Sequence, residues 1–294
     1  MPKSLIEELT EASPNRRSFL KKLGAATAAV GAISVVGERS ADAQTSTEVQ
    51  VLQFALNLEY LESEFYTYAQ YGYGIENFGI GVSGLANSPN PTGGGTTTGG
   101  AKIPISNDLV FTLETLNQIG ADERAHVTLL RSALGSNAIA KPNINLAASG
   151  PVTNQSQFLA MGRMLEDTGL SAYIGSANLL STPTIIFTAA RIVGTEGEHV
   201  STIRTQIARL NVATTAMDGA DILPPPSGSS TTILSVNPSD GLPAARLPGE
   251  VLYIAYGFAS NASSGGFFPD GVNGPITMST GPAPASNLGP GLPS

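Results

Sequence analysis

Residues 120–130 read GADERAHVTLL, and residues 194–203 read GTEGEHVSTI. These two stretches hold both histidines of the chain, His126 and His199, and each follows a glutamate by three residues, Glu123 and Glu196. Residues three apart share a face of a helix. Each Glu-x-x-His therefore aims a carboxylate and an imidazole at the same place.

Working outward, four segments carry helical periodicity: about 46–71, 107–134, 154–180 and 183–210. Ser46 or Thr47 is expected to cap the first, with Gly72 as its stop, and Asn107 or Asp108 to cap the second, which Gly135 ends. Pro183 suits the first turn of the fourth. The third and fourth are joined by two or three residues, so they must be antiparallel neighbours. The fold class is thus all-α, a four-helix bundle over residues 44–210. Between the first two helices lies a 33-residue insertion, residues 72–104, rich in Gly, Asn and Thr; it reads as a long connection or a partly mobile lid.

Beyond residue 211 the character changes, with 12 of the 20 prolines in residues 211–294. This is an irregular tail, expected to pack Val251, Leu252, Ile254, Phe267 and Phe268 onto the bundle. Its apolar run EVLYIAYGF, residues 250–258, reads as a short strand, and the last dozen residues are expected to lack order. A small separate β domain is the competing reading, weakened by the shortage of strands.

Two helices with Glu-x-x-His, and one further Glu from each of the other two, build a six-ligand dinuclear site inside a bundle. The third helix offers Glu166 and the first offers Glu59, Glu62 and Glu64. Glu59 and Glu166 are each followed seven residues later by a tyrosine, Tyr66 and Tyr173. Seven residues are nearly two turns, so each tyrosine shares the face of its glutamate. The halves of the bundle then form a weak two-helix repeat. At 100° per residue Glu64 points away from Glu59 and should face solvent, while Glu62 stays near enough to serve as a ligand or to support one. Tyr66 and Tyr173 are candidate catalytic groups and equally ordinary core residues.

The chain has 294 residues, 15 basic and 23 acidic, with no cysteine. Disulfides, thiolate metal sites and a cysteine nucleophile are excluded. The acidic balance is unsuited to binding nucleic acid through its phosphates. At the N-terminus, NRRSFLKK (15–22) precedes the apolar run 23–37 and an Ala41-x-Ala43 site. This is the layout of a cleaved export leader over residues 1–43, with Arg16 and Arg17 in the manner of the twin-arginine class. The apolar run is short for a membrane span, and the mature chain offers none. Its partner would be the twin-arginine export machinery, and its destination the periplasm or the exterior.

The stretches LQFALNLEYLESEFY (52–66), ADERAHVTLLRSALG (121–135), MLEDTGLSAYIGSANLL (164–180) and AARIVGTEGEHVSTIR (189–204) resemble the ferritin-like superfamily, in particular its exported and desiccation-related group, as does GGFFPDGVNG (265–274). The resemblance spans about residues 45–275. It implies a centre of two Fe or two Mn ions, Glu59 with His126 on one, Glu166 with His199 on the other, and Glu123 and Glu196 bridging. It makes Asp122 an acid that orients a histidine; Thr195, at the equivalent place on the fourth helix, cannot do the same. The implied activity is an exported redox enzyme of oxidative or desiccation stress that consumes peroxide or oxidises Fe(II). The alternatives are a non-enzymatic envelope protector with a structural or vestigial metal site, and a metal-free interaction module. A homo-oligomer is allowed; the insertion and the tail disfavour a storage cage.

Overall fold

The computed structural model describes residues 45–104 and 110–288. The expected leader, the cap at Asn107 or Asp108 and residues 289–294 fall outside them. Four long helices form the bundle: α1 (Ser46–Tyr71), α2 (Val110–Leu134), α3 (Gln155–Ser176) and α4 (Pro183–Arg209). Among the described residues the fold is all-α, with one pair of two-residue parallel strands, β1 (Thr97–Thr98) with β2 (Ile144–Asn145), and a few isolated bridges. α1 packs along α2, α3 along α4, and α1 also meets α3.

The helix ends follow local chemistry. α1 is capped by Thr45 rather than by Ser46 or Thr47, because Glu48 completes a capping box with that position: Thr45 Oγ1 accepts from the Glu48 N–H at 3.2 Å, and the Glu48 carboxylate accepts from the Thr45 N–H at 2.9 Å. α1 stops at Gly72, in the left-handed region at φ 84°. Asn154 caps α3 by accepting from the Gln157 N–H at 3.0 Å, and Pro183 opens α4.

The insertion is not a loose cover. It is stitched to the connection after α2: the Leu85 N–H donates to Ala138 O at 3.0 Å, the Ala140 N–H to Leu85 O at 2.7 Å, and the Gly95 N–H to Lys141 O at 2.7 Å. A Cβ on Gly95 would lie 2.4 Å from Asn143 N, so only glycine permits this approach. The insertion and the tail cover the outer face of α1. This corrects the expectation for Glu64. It does point away from Glu59, but its surroundings are protein: Glu64 is fully buried, and the equally buried Lys141 bridges it to Glu76 and reaches Thr97 Oγ1 at 3.2 Å.

The tail also departs from expectation. The apolar run forms a helix, α5 (Pro248–Ala255), not a strand. Pro248 fits the first turn, the Glu250 carboxylate accepts from the Leu247 N–H at 2.8 Å, and the buried residues 251, 252, 254 and 255 make one helical stripe. Val251, Leu252, Ile254, Phe267 and Phe268 are all buried, and all but Ile254 belong to one cluster with the bundle core. Three buried arginines clamp the rest of the tail. Arg163 and Arg204 share Asp167, and Arg204 donates onward to Ile233 O at 2.7 Å. Arg246 grips Asp218 through two bonds of 2.7 Å and donates to Ser171 Oγ at 3.0 Å. Of the last dozen residues, 285–288 form a 3₁₀ turn. Among the described residues no helix is long and apolar enough to cross a membrane.

Candidate metal centre

Glu59 of α1, Glu123 and His126 of α2, Glu166 of α3, and Glu196 and His199 of α4 meet in the middle of the bundle. The four carboxylates are fully buried; His126 and His199 are 7% and 4% exposed. His126 Nδ1 lies 3.2 Å from Glu59 Oε2, 3.3 Å from Glu196 Oε1 and 3.5 Å from Glu123 Oε2. His199 Nδ1 lies 2.9 Å from Glu123 Oε1 and 3.3 Å from Glu166 Oε2. The two imidazole rings are 6.2 Å apart, centre to centre. The donors fall into two sets, Glu59, Glu123, His126, Glu196 and Glu123, Glu166, Glu196, His199, each set with ligand atoms within 4.8 Å of one another. Glu123 and Glu196 belong to both.

The supporting bonds cross the bundle. Tyr66 donates to Glu166 Oε1 at 2.5 Å, and Tyr173 donates to Glu59 Oε1. Each tyrosine thus holds the glutamate of the other helix, not its own. Burial and the charge of these glutamates push both phenols well above their usual range, which keeps the protons in place. Asp122 Oδ2 lies 3.4 Å from His199 Nε2 and accepts from Gln118 through Oδ1 at 2.8 Å. Asp122 sits next to the His126 motif but reaches the histidine of the other. Thr195 has no such part; its hydroxyl donates to Arg191 O at 3.3 Å.

Without a cation the cluster is electrostatically strained. Burial raises Glu123 to about 7, with the charge of Glu59 adding to it, and burial and neighbouring carboxylates push Glu196 well above its usual range. Burial opposes the charge of both histidines, but Glu59 beside His126 and Glu166 beside His199 reverse this and drive both strongly upward. Glu59 is also opposed by burial and is nonetheless lowered by His126.

The donor atoms fit a metal pair. Glu59 Oε2, Glu166 Oε2, both oxygens of Glu123, both of Glu196, and the Nδ1 atoms of the two histidines are buried without a hydrogen-bond partner. Buried polar atoms left unpaired are rare and costly. Here they sort into one nitrogen and one carboxylate oxygen for each set, with four oxygens shared. Nitrogen and oxygen donors without sulfur suit Fe or Mn.

Glu62 is buried and faces inward beside this cluster, outside both donor sets. Burial and the four nearby carboxylates hold its carboxyl well above the usual range. Gly169 of α3 makes room for it: a Cβ there would stand 2.7 Å from Glu62 Oε1. Sequence reasoning missed that pairing, yet a signal existed. Glu166 and Tyr173 follow Glu59 and Tyr66 by the same 107 residues, and that offset sets Gly169 against Glu62.

A family model described as a ferritin-like domain matches residues 47–209. A ferritin-like catalase of Nesocodon mauritianus is 22% identical over 276 residues, covering 78% of this chain and 84% of its own length. A desiccation-related protein of Craterostigma plantagineum is 24% identical over 176 residues, covering 54% of this chain and 52% of its own length. The family match spans more than half of the chain and all four helices that carry the carboxylates and imidazoles: the protein belongs to the ferritin-like family.

Proposed function

We propose that the protein is an exported dinuclear-metal redox enzyme that consumes peroxide, with Fe(II) oxidation as the related activity of the same centre. The observation that carries this reading is the set of eight buried, unpartnered donor atoms in two groups sharing Glu123 and Glu196. Two Fe or Mn ions held there would supply the two-electron couple by which one peroxide is reduced to water and another oxidised to dioxygen. The chain's own part is to hold that pair. His126 and Glu59 would bind one ion, His199 and Glu166 the other, and Glu123 and Glu196 would bridge. Tyr66 and Tyr173 fix the terminal carboxylates by donating to their outer oxygens. Asp122 orients His199 through Nε2 and so leaves Nδ1 as the free donor. The relative named as a catalase supports peroxide as substrate. The leader-like layout of residues 1–43, with Arg16 and Arg17, is what supports export by the twin-arginine route to the periplasm or beyond.

The desiccation-related relative favours a second reading, a protective envelope protein whose metal site is structural. One experiment separates them: the purified protein is assayed for Fe and Mn by elemental analysis, then for oxygen release from peroxide. Two ions per chain with turnover support the enzyme. Two ions without turnover of peroxide or Fe(II) support the protector, and absence of metal after loading sinks both.

A further inference from the structure

A small cavity lies against the centre on the side of the tail. Leu58, Met164, Leu165 and Phe267 wall it, and Glu62 and Gly169 close its inner end. It offers about 20 Å³ to the centre of a water-sized guest, enough for one such molecule. Glu62, 3% exposed, lines this cavity, so its carboxyl faces that guest. The missing side chain at residue 169 is what lets the Glu62 carboxyl reach the inner end. A Cβ there would meet Glu62 Oε1 at 2.7 Å and Glu196 Oε2 at 3.3 Å. The backbone at Gly169 therefore adjoins both the Glu62 carboxyl and an oxygen of a shared ligand. A glycine inside a helix costs about 1 kcal/mol relative to alanine, so this glycine is maintained against helix propensity.

Met164 also lines a second, larger hollow. This is an open groove of about 370 Å³ between the first half of α3, the loop at Pro151, the tail at Thr215 and the side chain of Phe258. Phe258 sits in the left-handed region at φ 65°, where its N–H donates to Tyr253 O at 2.8 Å. A bulky residue is rarely found there, and such strain concentrates at functional surfaces. Met164 is thus common to the walls of groove and cavity, and methionine is unbranched and readily re-packed.

We propose that the groove, Met164 and the Gly169 cavity form the entry route to the centre, and that its bore admits only peroxide- or dioxygen-sized molecules, with Glu62 the hydrogen-bonding group at the inner end. The choice of peroxide as substrate rests on the function proposed above; the route itself rests on the cavities.

Two measurements test it. In metal-free protein, dissolved dioxygen should enhance the relaxation of the Leu58 and Leu165 methyl protons. Met164→Trp should reduce that enhancement at least about threefold, and Ala125→Trp, an exposed position on α2, should not, since a blocked gate slows entry. No enhancement in the parent protein, or an unchanged one in a folded Met164→Trp, overturns the route, as does loss in Ala125→Trp instead, which would place entry at α2. In metal-loaded protein, Met164→Ala should raise the rate with tert-butyl hydroperoxide relative to hydrogen peroxide by about tenfold, as a pocket widened by several methylenes does. An unchanged ratio overturns the bore, and this arm stands even if the tryptophan variant fails to fold. Dioxygen access without any peroxide turnover sinks the proposed function and leaves the route intact.

Discussion

Tyr66 donates to Glu166 at 2.5 Å across the bundle, although its helix carries its own glutamate, Glu59, seven residues earlier. Tyr173 returns the arrangement to Glu59. α1 and α3 are therefore locked to each other at the level of the centre. Tyr66→Phe leaves Glu166 Oε1 buried without its donor and frees the carboxylate to rotate. We expect metal affinity to fall about 10- to 100-fold, the usual effect of losing a group that orients a ligand, with the fold retained. Tyr173→Phe should give a matching loss. Competition with a coloured chelator measures both, and unchanged affinity would reduce the tyrosines to core packing.

Proton competition should govern metal binding. Glu123 titrates at about 7 in the metal-free fold against 4.5 as its ordinary value, so the metal-free folded state binds more protons than the unfolded chain between those pH values. Its stability through this group falls as pH rises across that window. A bound cation requires ionised carboxylates and removes the effect. The melting-temperature difference between metal-loaded and chelator-treated protein should then widen from pH 5.5 to pH 7.5, with each kcal/mol worth about 2–4 °C in a chain of this size. A difference that narrows with pH would refute the assignment of Glu123 as a ligand.

Glu48 staples the start of α1 to the start of α4. Burial acts to raise its pKa, but the N–H groups of Thr182, Thr45 and Ser181 and the Thr182 hydroxyl more than offset this and hold it at about 2. A lowered carboxylate contributes stability that is full above about 4.5 and is lost as pH falls towards 2. Glu48→Gln, which leaves some of those donors unpaired, should cost about 1–3 kcal/mol at neutral pH. The gap between parent and variant should shrink as pH drops from 6 to 3. Calorimetry across that range checks it, and a constant gap would show that the carboxylate charge is idle.

The helices and the convergence of six polar side chains were legible because both are periodic. Spacing of three and seven residues places Glu123 with His126, and Glu59 with Tyr66, on common faces whatever packs around them. Glu64 was misread because helical angle tells which way a side chain points, not what stands there. The cover comes from residues 72–104 and from Lys141, contacts set by backbone bonds of glycine- and asparagine-rich segments that have no period. The run at 250–258 failed for a related reason: a short apolar stretch suits strand or helix, and Pro248 with Glu250 decided the matter. The crossing of Tyr66 to Glu166 was invisible, since the sequence shows each tyrosine only beside the glutamate of its own helix.

The cover over α1 carries the last prediction. Lys141 is the cation between Glu64, fully buried, and Glu76 of the insertion. Burial already raises Glu64, against the pull of Lys141. Lys141→Met strands a carboxylate inside protein, and breaking a buried pair by removing one partner costs about 3–5 kcal/mol. At about 2–4 °C per kcal/mol, the melting temperature should fall by at least about 6 °C. Adding Glu64→Leu removes the stranded charge and should recover most of the loss, since apolar replacement of a buried ion pair is often neutral. Metal content should be unchanged in both, because the pair lies on the face of α1 opposite Glu59. A single variant as stable as the parent would mean that Glu64 is held neutral and that the insertion is seated by its backbone bonds alone.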